Sequence, residues 1–269
     1  MKTKTCLVLS LCLGAAAALP AQILFSDSLA TDASNWIVNP ANQGGGALTF
    51  ASSRLNYLVG TPDLTVNDTG FRALSVFAGP STSSWSAQVD IHLASLSLST
   101  NQFANLNIMV AKIGAEMANN ATFALDRYNA GAGLVQDIDT FVTVAGSKSH
   151  LPQVLNATTD ATLMISFDHL TSTLTFSYDS NGPVGGPSFL TAHTADISGW
   201  GMTGSDNFAL MLVGGSGNDI GFNPAIGSGD GYFQNFAVTA VPEPSTYAML
   251  TGLGALGLAM LRRRFCREI

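Results

Sequence analysis

The chain has 269 residues, with 18 acidic against 11 basic side chains and a formal net charge of −7. Between Gln22 and Ala240 the only cations are Arg54, Arg72, Lys112, Arg127 and Lys148, set against fifteen aspartates and Glu116, a formal charge near −11. That balance argues against nucleic acid and anionic membrane surfaces as partners of this middle part. Cysteine is confined to Cys6, Cys12 and Cys266, which leaves the middle part without disulfide or thiolate chemistry.

The front of the chain is built for export. Lys2 and Lys4 make a positive start, Cys6 to Ala18 is an apolar run of 13 residues, and small residues follow. This is the pattern of a secretory signal peptide over residues 1–21, with cleavage after Ala18 or Ala21. Cys12 follows Leu11, where a lipoprotein signal places a small residue, so lipid attachment is not expected.

Residues 22–240 read as one β domain. Ser86–Leu93 alternates, with Ala87, Val89, Ile91 and Leu93 on one face and Gln88, Asp90 and His92 on the other. Leu106, Ile108 and Val110 repeat the pattern, as do Phe123 and Leu125. Leu163, Ile165 and Phe167 pair in expectation with Leu174, Phe176 and Tyr178 as a hairpin turning through Asp168–Ser172. Phe208, Leu210 and Leu212, then Phe236 and Val238, close the series. Ala111–Asn120 has room for a turn of helix, and Gly214–Gly231 reads as a loose, mobile loop. Many half-buried strands joined by Gly, Asn and Asp turns predict an all-β, two-sheet antiparallel sandwich or a barrel.

Three stretches narrow this further. Phe25-Ser26-Asp27-Ser28-Leu29 with Trp36 resembles the opening strand of concanavalin A-like (laminin-G-like) jelly rolls, the Leu163–Tyr178 hairpin resembles their central pair, and Gly231–Val238 resembles their closing strand. The resemblance implies a jelly-roll sandwich whose closing strand lies beside its opening one. Gln234-Asn235 stands where such domains often carry Asp-Asn.

Catalytic constellations are sparse. Glycoside hydrolysis needs two carboxyl groups about 5 to 9 Å apart, and the Glu-x-Asp-x-x-Glu strand of jelly-roll glucanases has no counterpart here, since Glu116 is the one glutamate between Gln22 and Ala240. Asp137 and Asp139 share a face of an extended segment; the expectation is that they are exposed turn or edge carboxylates. His92, His150, His169 and His193 show no ligand spacing. Neither a Gly-x-Ser-x-Gly elbow nor a phosphate loop is present. Calcium is the one cofactor the residues admit, through Asn218, Asp219, Asn223 and Asp230 in the glycine-rich stretch; the same residues are also ordinary loop formers.

The tail is the most specific part. Pro242-Glu243-Pro244 holds the backbone extended, fifteen uncharged residues run from Tyr247 to Leu261, and Arg262, Arg263 and Arg264 close them. As a helix that run spans about 22 Å at about 1.5 Å per residue, short of an apolar bilayer core of about 30 Å. The arginines are expected to stay cytoplasmic, which places the preceding chain outside. Val241-Pro242-Glu243-Pro244-Ser245, the short apolar span and the arginine cluster resemble a PEP-CTERM sorting signal over residues 241–269. The resemblance implies an exported protein, cut by a membrane exosortase at the motif. The expectation is therefore a signal peptide, a β-sandwich and a transient C-terminal transmembrane helix. The sandwich is read as a non-catalytic cell-surface or matrix protein, glycan-binding or structural among extracellular polysaccharides. The alternative is a secreted carbohydrate-active enzyme working through aspartates.

Overall fold

Alternation decides the most regular strands. From Trp85 to Leu93 every odd residue is buried and every even one half-exposed, so one side faces a core and the other faces out. The computed structural model describes residues 22–30, 33–40, 46–60, 68–156, 158–182, 188–218 and 224–241. The signal peptide and the sorting tail from Pro242 onward, with its membrane span, lie outside the described residues. Ile23–Ala240 is a compact unit by itself.

Its strands in chain order are β1 (Ile23–Asp27), β2 (Trp36–Pro40), β3 (Gly46–Ala51), β4 (Arg54–Val59), β5 (Asp68–Pro80), β6 (Trp85–Leu93), β7 (Gln102–Lys112) and β8 (Asn120–Asn129). They continue with β9 (Leu134–Val144), β10 (Ser147–His150), β11 (Val154–Leu155), β12 (Asp160–Asp168), β13 (Thr173–Asp179), β14 (Leu190–Asp196), β15 (Asn207–Asn218) and β16 (Gly231–Ala240). Sheet one runs β14-β13-β12-β6-β16-β4-β3 with β1 on β16; sheet two runs β10-β9-β8-β7-β15-β5-β2 with β11 on β9. Every pairing is antiparallel, and the two sheets enclose one main core.

Aromatic rings fill that core. Trp85 meets Phe208 edge-on at 5.3 Å, Phe208 meets Phe167 at 4.7 Å, and Trp200 closes on Phe208 at 6.1 Å. Each such side chain contributes about 1.5–3 kcal/mol by leaving water. The expected closing strand lies beside the opening one: Phe25 faces Val238 and Asp27 faces Phe236. Asp27 explains the opening motif. It accepts hydrogen bonds from the Leu29 N–H (2.7 Å), Asn35 Nδ2 (3.0 Å) and Trp36 Nε1 (3.1 Å), so one carboxylate fixes the turn and the tryptophan together.

Two expectations need correction. Gly214 through Asn218 is not loop but the end of β15, a central strand of sheet two. The glycines are there for space: a Cβ on Gly214 would collide with the Tyr57 ring at Cδ2, and the Tyr57 hydroxyl hydrogen-bonds Ser216 Oγ at 3.0 Å. Asp137 and Asp139 are neither turn nor exposed residues. They sit inside β9, at 0% and 5% exposure. Ala111–Asn120 does hold one helical turn, with the Asn119 N–H donating to Ala115 O at 2.8 Å.

Candidate functional site

The register of sheet two assembles a polar row that no single strand reveals. Asp126 lies directly opposite Asp137 across β8 and β9, Asn105 of β7 lies opposite Asp126, and Gly215 of β15 opposite Asn105. All point away from the main core, because their sequence neighbours Leu106, Leu125 and Ile138 point into it. Asp139, two residues on, joins the same face opposite Ala124. Tyr128 and Phe103, paired with each other, border the row on one side, and Phe141 borders it on the other. On the same face of the sheet Met109, Ala111, Ala209 and Met211 form a smaller apolar cluster.

The carboxyl groups are electrostatically crowded. Burial, then the charges of Asp137 and Asp139, push Asp126 up to about 7, against weaker opposing hydrogen bonds from the Arg127 N–H and then Asn105. Burial, then Asp139, push Asp137 up to about 6, while His150 pulls it back. Asp139 is the member with firm partners: its Oδ1 meets His150 Nε2 and accepts the Thr140 N–H at 2.8 Å. His150 in turn stacks on Phe141 at 4.5 Å, and Lys148 Nζ lies 3.7 Å from the centre of that ring. Both oxygens of Asp137, Oδ1 of Asp126 and Oδ1 of Asn107 are buried and accept no hydrogen bond. An acceptor left in that state costs about 1–3 kcal/mol, so the face is held at an expense the fold itself does not require.

Other residues singled out in the sequence fall elsewhere. His92 belongs to the outer face of sheet one, where its Nδ1 meets Asp160 Oδ1 at 2.8 Å and its ring stacks on Tyr232 at 4.7 Å. Arg54 lies 4.2 Å over the same tyrosine. Asn235, in a bulge at φ +53°, donates to Asp90 Oδ2 at 2.8 Å, and Gln234 reaches Ser53 O at 3.2 Å. His169 meets Ser84 Oγ and His193 meets Pro152 O. Of the calcium candidates, Asn218 ends β15, Asp219 and Asn223 lie outside the described residues, and Asp230 accepts the Gly227 N–H at 2.8 Å to close a turn. Among the described residues no three His, Cys, Asp or Glu side chains converge on a position for a metal ion. Among the described residues no helix is long and apolar enough to cross a membrane. Glu116 Oε1 accepts the Gly114 N–H in the helical turn. Val241, at the head of the sorting motif, is exposed.

Comparison with known proteins bears on both parts of the chain. Residues 240–264 match the PEP-CTERM protein-sorting motif, the C-terminal signal of exported proteins that an exosortase processes. Among curated proteins none matches the sequence. The sandwich is similar to an endo-1,3-beta-glucanase from Streptomyces sioyaensis, at 12% identity and TM-score 0.53, over 83% of this chain and 97% of that one. It is also similar to a GH43 protein from Bacillus licheniformis, at 16% identity and TM-score 0.52, over 80% of this chain but 39% of that one. Lectin II from Ulex europaeus aligns at 12% identity and TM-score 0.48, over 82% of this chain and all of that one. The first two likenesses, with the two antiparallel sheets, show the jelly-roll sandwich fold.

Proposed function

We propose that this exported protein, once cut beside Pro242 and Pro244, binds extracellular polysaccharide on the Asp126 face of sheet two without cleaving it. The carrying observation is the half-exposed Asp126, whose Oδ1 no protein donor reaches, on a polar face bordered by the half-exposed rings of Phe103, Tyr128 and Phe141. Sugar hydroxyls are donors and acceptors at once, and a carboxyl group pushed up to about 7 is itself both at neutral pH. Tyr128 and Phe103 supply ring faces for the apolar side of a pyranose. Binding is favoured over hydrolysis because cleavage needs two carboxyl groups facing the sugar. Here Asp137 is sealed beneath the surface and Asp139 is buried against His150.

A hydrolase is the second reading, and one observation favours it. Asp126 and Asp139 are diagonal neighbours on adjacent strands and share a face, with backbone positions about 7–8 Å apart, and inverting glycosidases use carboxyl pairs about 6.5–9.5 Å apart. All sheet pairing and the whole core lie within Ile23–Ala240, so that fragment is the object to test. Titration calorimetry against soluble neutral β-glucans, with a reducing-end assay on the same mixtures, separates the readings. Saturable binding without new reducing ends, lost in Asp126→Asn, supports the proposal. Reducing ends that disappear in Asp126→Asn establish the enzyme instead, and binding unchanged by Asp126→Asn removes this face from the account.

A further inference from the structure

The opposite face of the same two strands carries two buried amide donors without acceptors, Gln136 Nε2 and Asn156 Nδ2, beside a buried arginine. Arg127 of β8 lies directly across from Gln136 of β9, and the Asn156 N–H bonds Gln136 O at 3.1 Å, so the three side chains meet at one end of the strand pair. Together with Leu134, Val135 and Leu155 they line a depression of about 470 Å³. Arg127 is 3% exposed; its Nε donates to Leu93 O at 3.1 Å, and among the described residues no carboxylate pairs with it. Burial pulls its guanidinium below the ordinary value. Asn156 is 6% exposed, and its Oδ1 accepts from Thr158 Oγ1 at 3.0 Å, which fixes the amide so that Nδ2 is buried with no acceptor. Gln136 Nε2 is likewise buried without an acceptor.

Other described cations have partners at the charged end: Lys112 pairs with Asp206 at 3.2 Å, Lys148 lies over Phe141, and Arg54 lies over Tyr232 although its Nε is buried without an acceptor. A buried guanidinium with no counter-ion costs several kcal/mol unless an anion joins it, and Arg presents the planar fork that matches a carboxylate. Leu134, exposed on the same face, flanks the donors with apolar surface. Donors that suit a carboxylate beside an exposed leucine that suits a C–H face describe an acidic sugar.

We infer that the Arg127–Gln136–Asn156 pocket binds the carboxylate of an acidic saccharide, a uronic acid unit of a polysaccharide. The site is separate from the Asp126 face, because Asp126 and Asp137 project from the other side of the sheet. The net negative charge of the domain does not forbid the contact, since its distant carboxylates are screened within about 8 Å at physiological salt.

The test is calorimetry of the 22–240 fragment with trigalacturonate, its fully methyl-esterified form and inorganic sulfate. The expected result is saturable binding of trigalacturonate, weakened at least about tenfold by esterification, the size of one lost charge-assisted hydrogen bond. Asn156→Asp and Gln136→Glu keep shape but put a carboxylate beside Arg127; each is expected to abolish binding while raising Tm, because the arginine gains an internal partner. Asp126→Asn is expected to leave trigalacturonate affinity within about twofold, whatever it does to neutral glycans. Equal binding of the acid and its ester, undiminished binding in both isosteric variants, or no binding at millimolar trigalacturonate overturns the inference. Inorganic sulfate displacing the trisaccharide at equal concentration reassigns the pocket to a free anion and overturns the saccharide assignment.

Discussion

The Asp126 carboxyl gives the most direct physical handle on the polar face. Its ordinary value is 3.8 and the folded chain holds it at about 7, a rise of roughly three units. At about 1.4 kcal/mol per unit, the folded state loses on the order of 4 kcal/mol on ionising this group. Below pH 4 the group is protonated whether the chain is folded or not, so it contributes no pH dependence there. Between pH 4 and 7 the folded state holds the proton more tightly than the unfolded state, so stability falls as pH rises; above 7 the whole loss is in force. Asp137, held at about 6, adds a loss of the same sign over a narrower window. Asp126→Asn removes the ionisation while keeping shape and the hydrogen bond to Asn105. Urea unfolding of residues 22–240 should find the variant close to wild type at pH 4 and more stable at pH 8. The gain there is expected to approach about 3 kcal/mol, less than the full figure because Asp126 and Asp137 share the strain. A variant that is equally or less stable at pH 8, or a wild type whose stability rises from pH 5 to 7, refutes the reasoning. A stabilised variant that no longer binds glycan shows that the acid is kept for the ligand rather than for the fold.

Three further outcomes follow from other parts of the molecule. Gly214→Ala forces a methyl group into the Tyr57 ring and should cost about 1–3 kcal/mol in urea unfolding; Tyr57→Leu in the same background should recover part of it, and no recovery argues against the contact. Asp27→Ala strands three donors, including the Trp36 indole N–H, and should cost about 2–4 kcal/mol. At about 2–4 °C per kcal/mol that is a Tm drop above 5 °C, visible by circular dichroism. Pro242→Ala with Pro244→Ala removes the bar to helix that two prolines impose, and fractionation of the producing bacterium should find the chain retained in the membrane; normal release removes the prolines from the cleavage account.

The strands that were legible are those with one wet face. β6, β12 and β13 alternate because their outer residues meet water, and the hairpin from Leu163 to Tyr178 pairs as the period requires, with Ile165 opposite Phe176. Asp27 with Trp36 was legible as a resemblance, and the hydrogen bonds supply its cause. β4 was not legible: Leu55, Asn56 and Tyr57 are all buried, so period two is lost. β10 escaped for the opposite reason, since Ser147–His150 is exposed throughout and carries no apolar signal. The glycines of β15 read as loop because glycine's usual meaning is a turn, whereas here a tyrosine from the facing sheet needs the room.

The polar site was half legible, and the missing half is register. Asp137 and Asp139 were recognisable as neighbours on one face from their spacing alone. That Asp126 stands opposite Asp137, and Arg127 opposite Gln136, depends on how β8 aligns with β9, which the core decides through Leu125 facing Ile138. Shifting the pairing by one residue would expose those core side chains, so the alignment is held by hydrophobic burial and the polar groups ride on it. Because side chains alternate, adjacent residues 126 and 127 are sent to opposite faces, as are 136 and 137. The same alignment therefore puts the unpaired acceptors of Asp126 and Asp137 on one face and the unpaired amide donors of Gln136 and Asn156 on the other, so no protein contact joins the two sets.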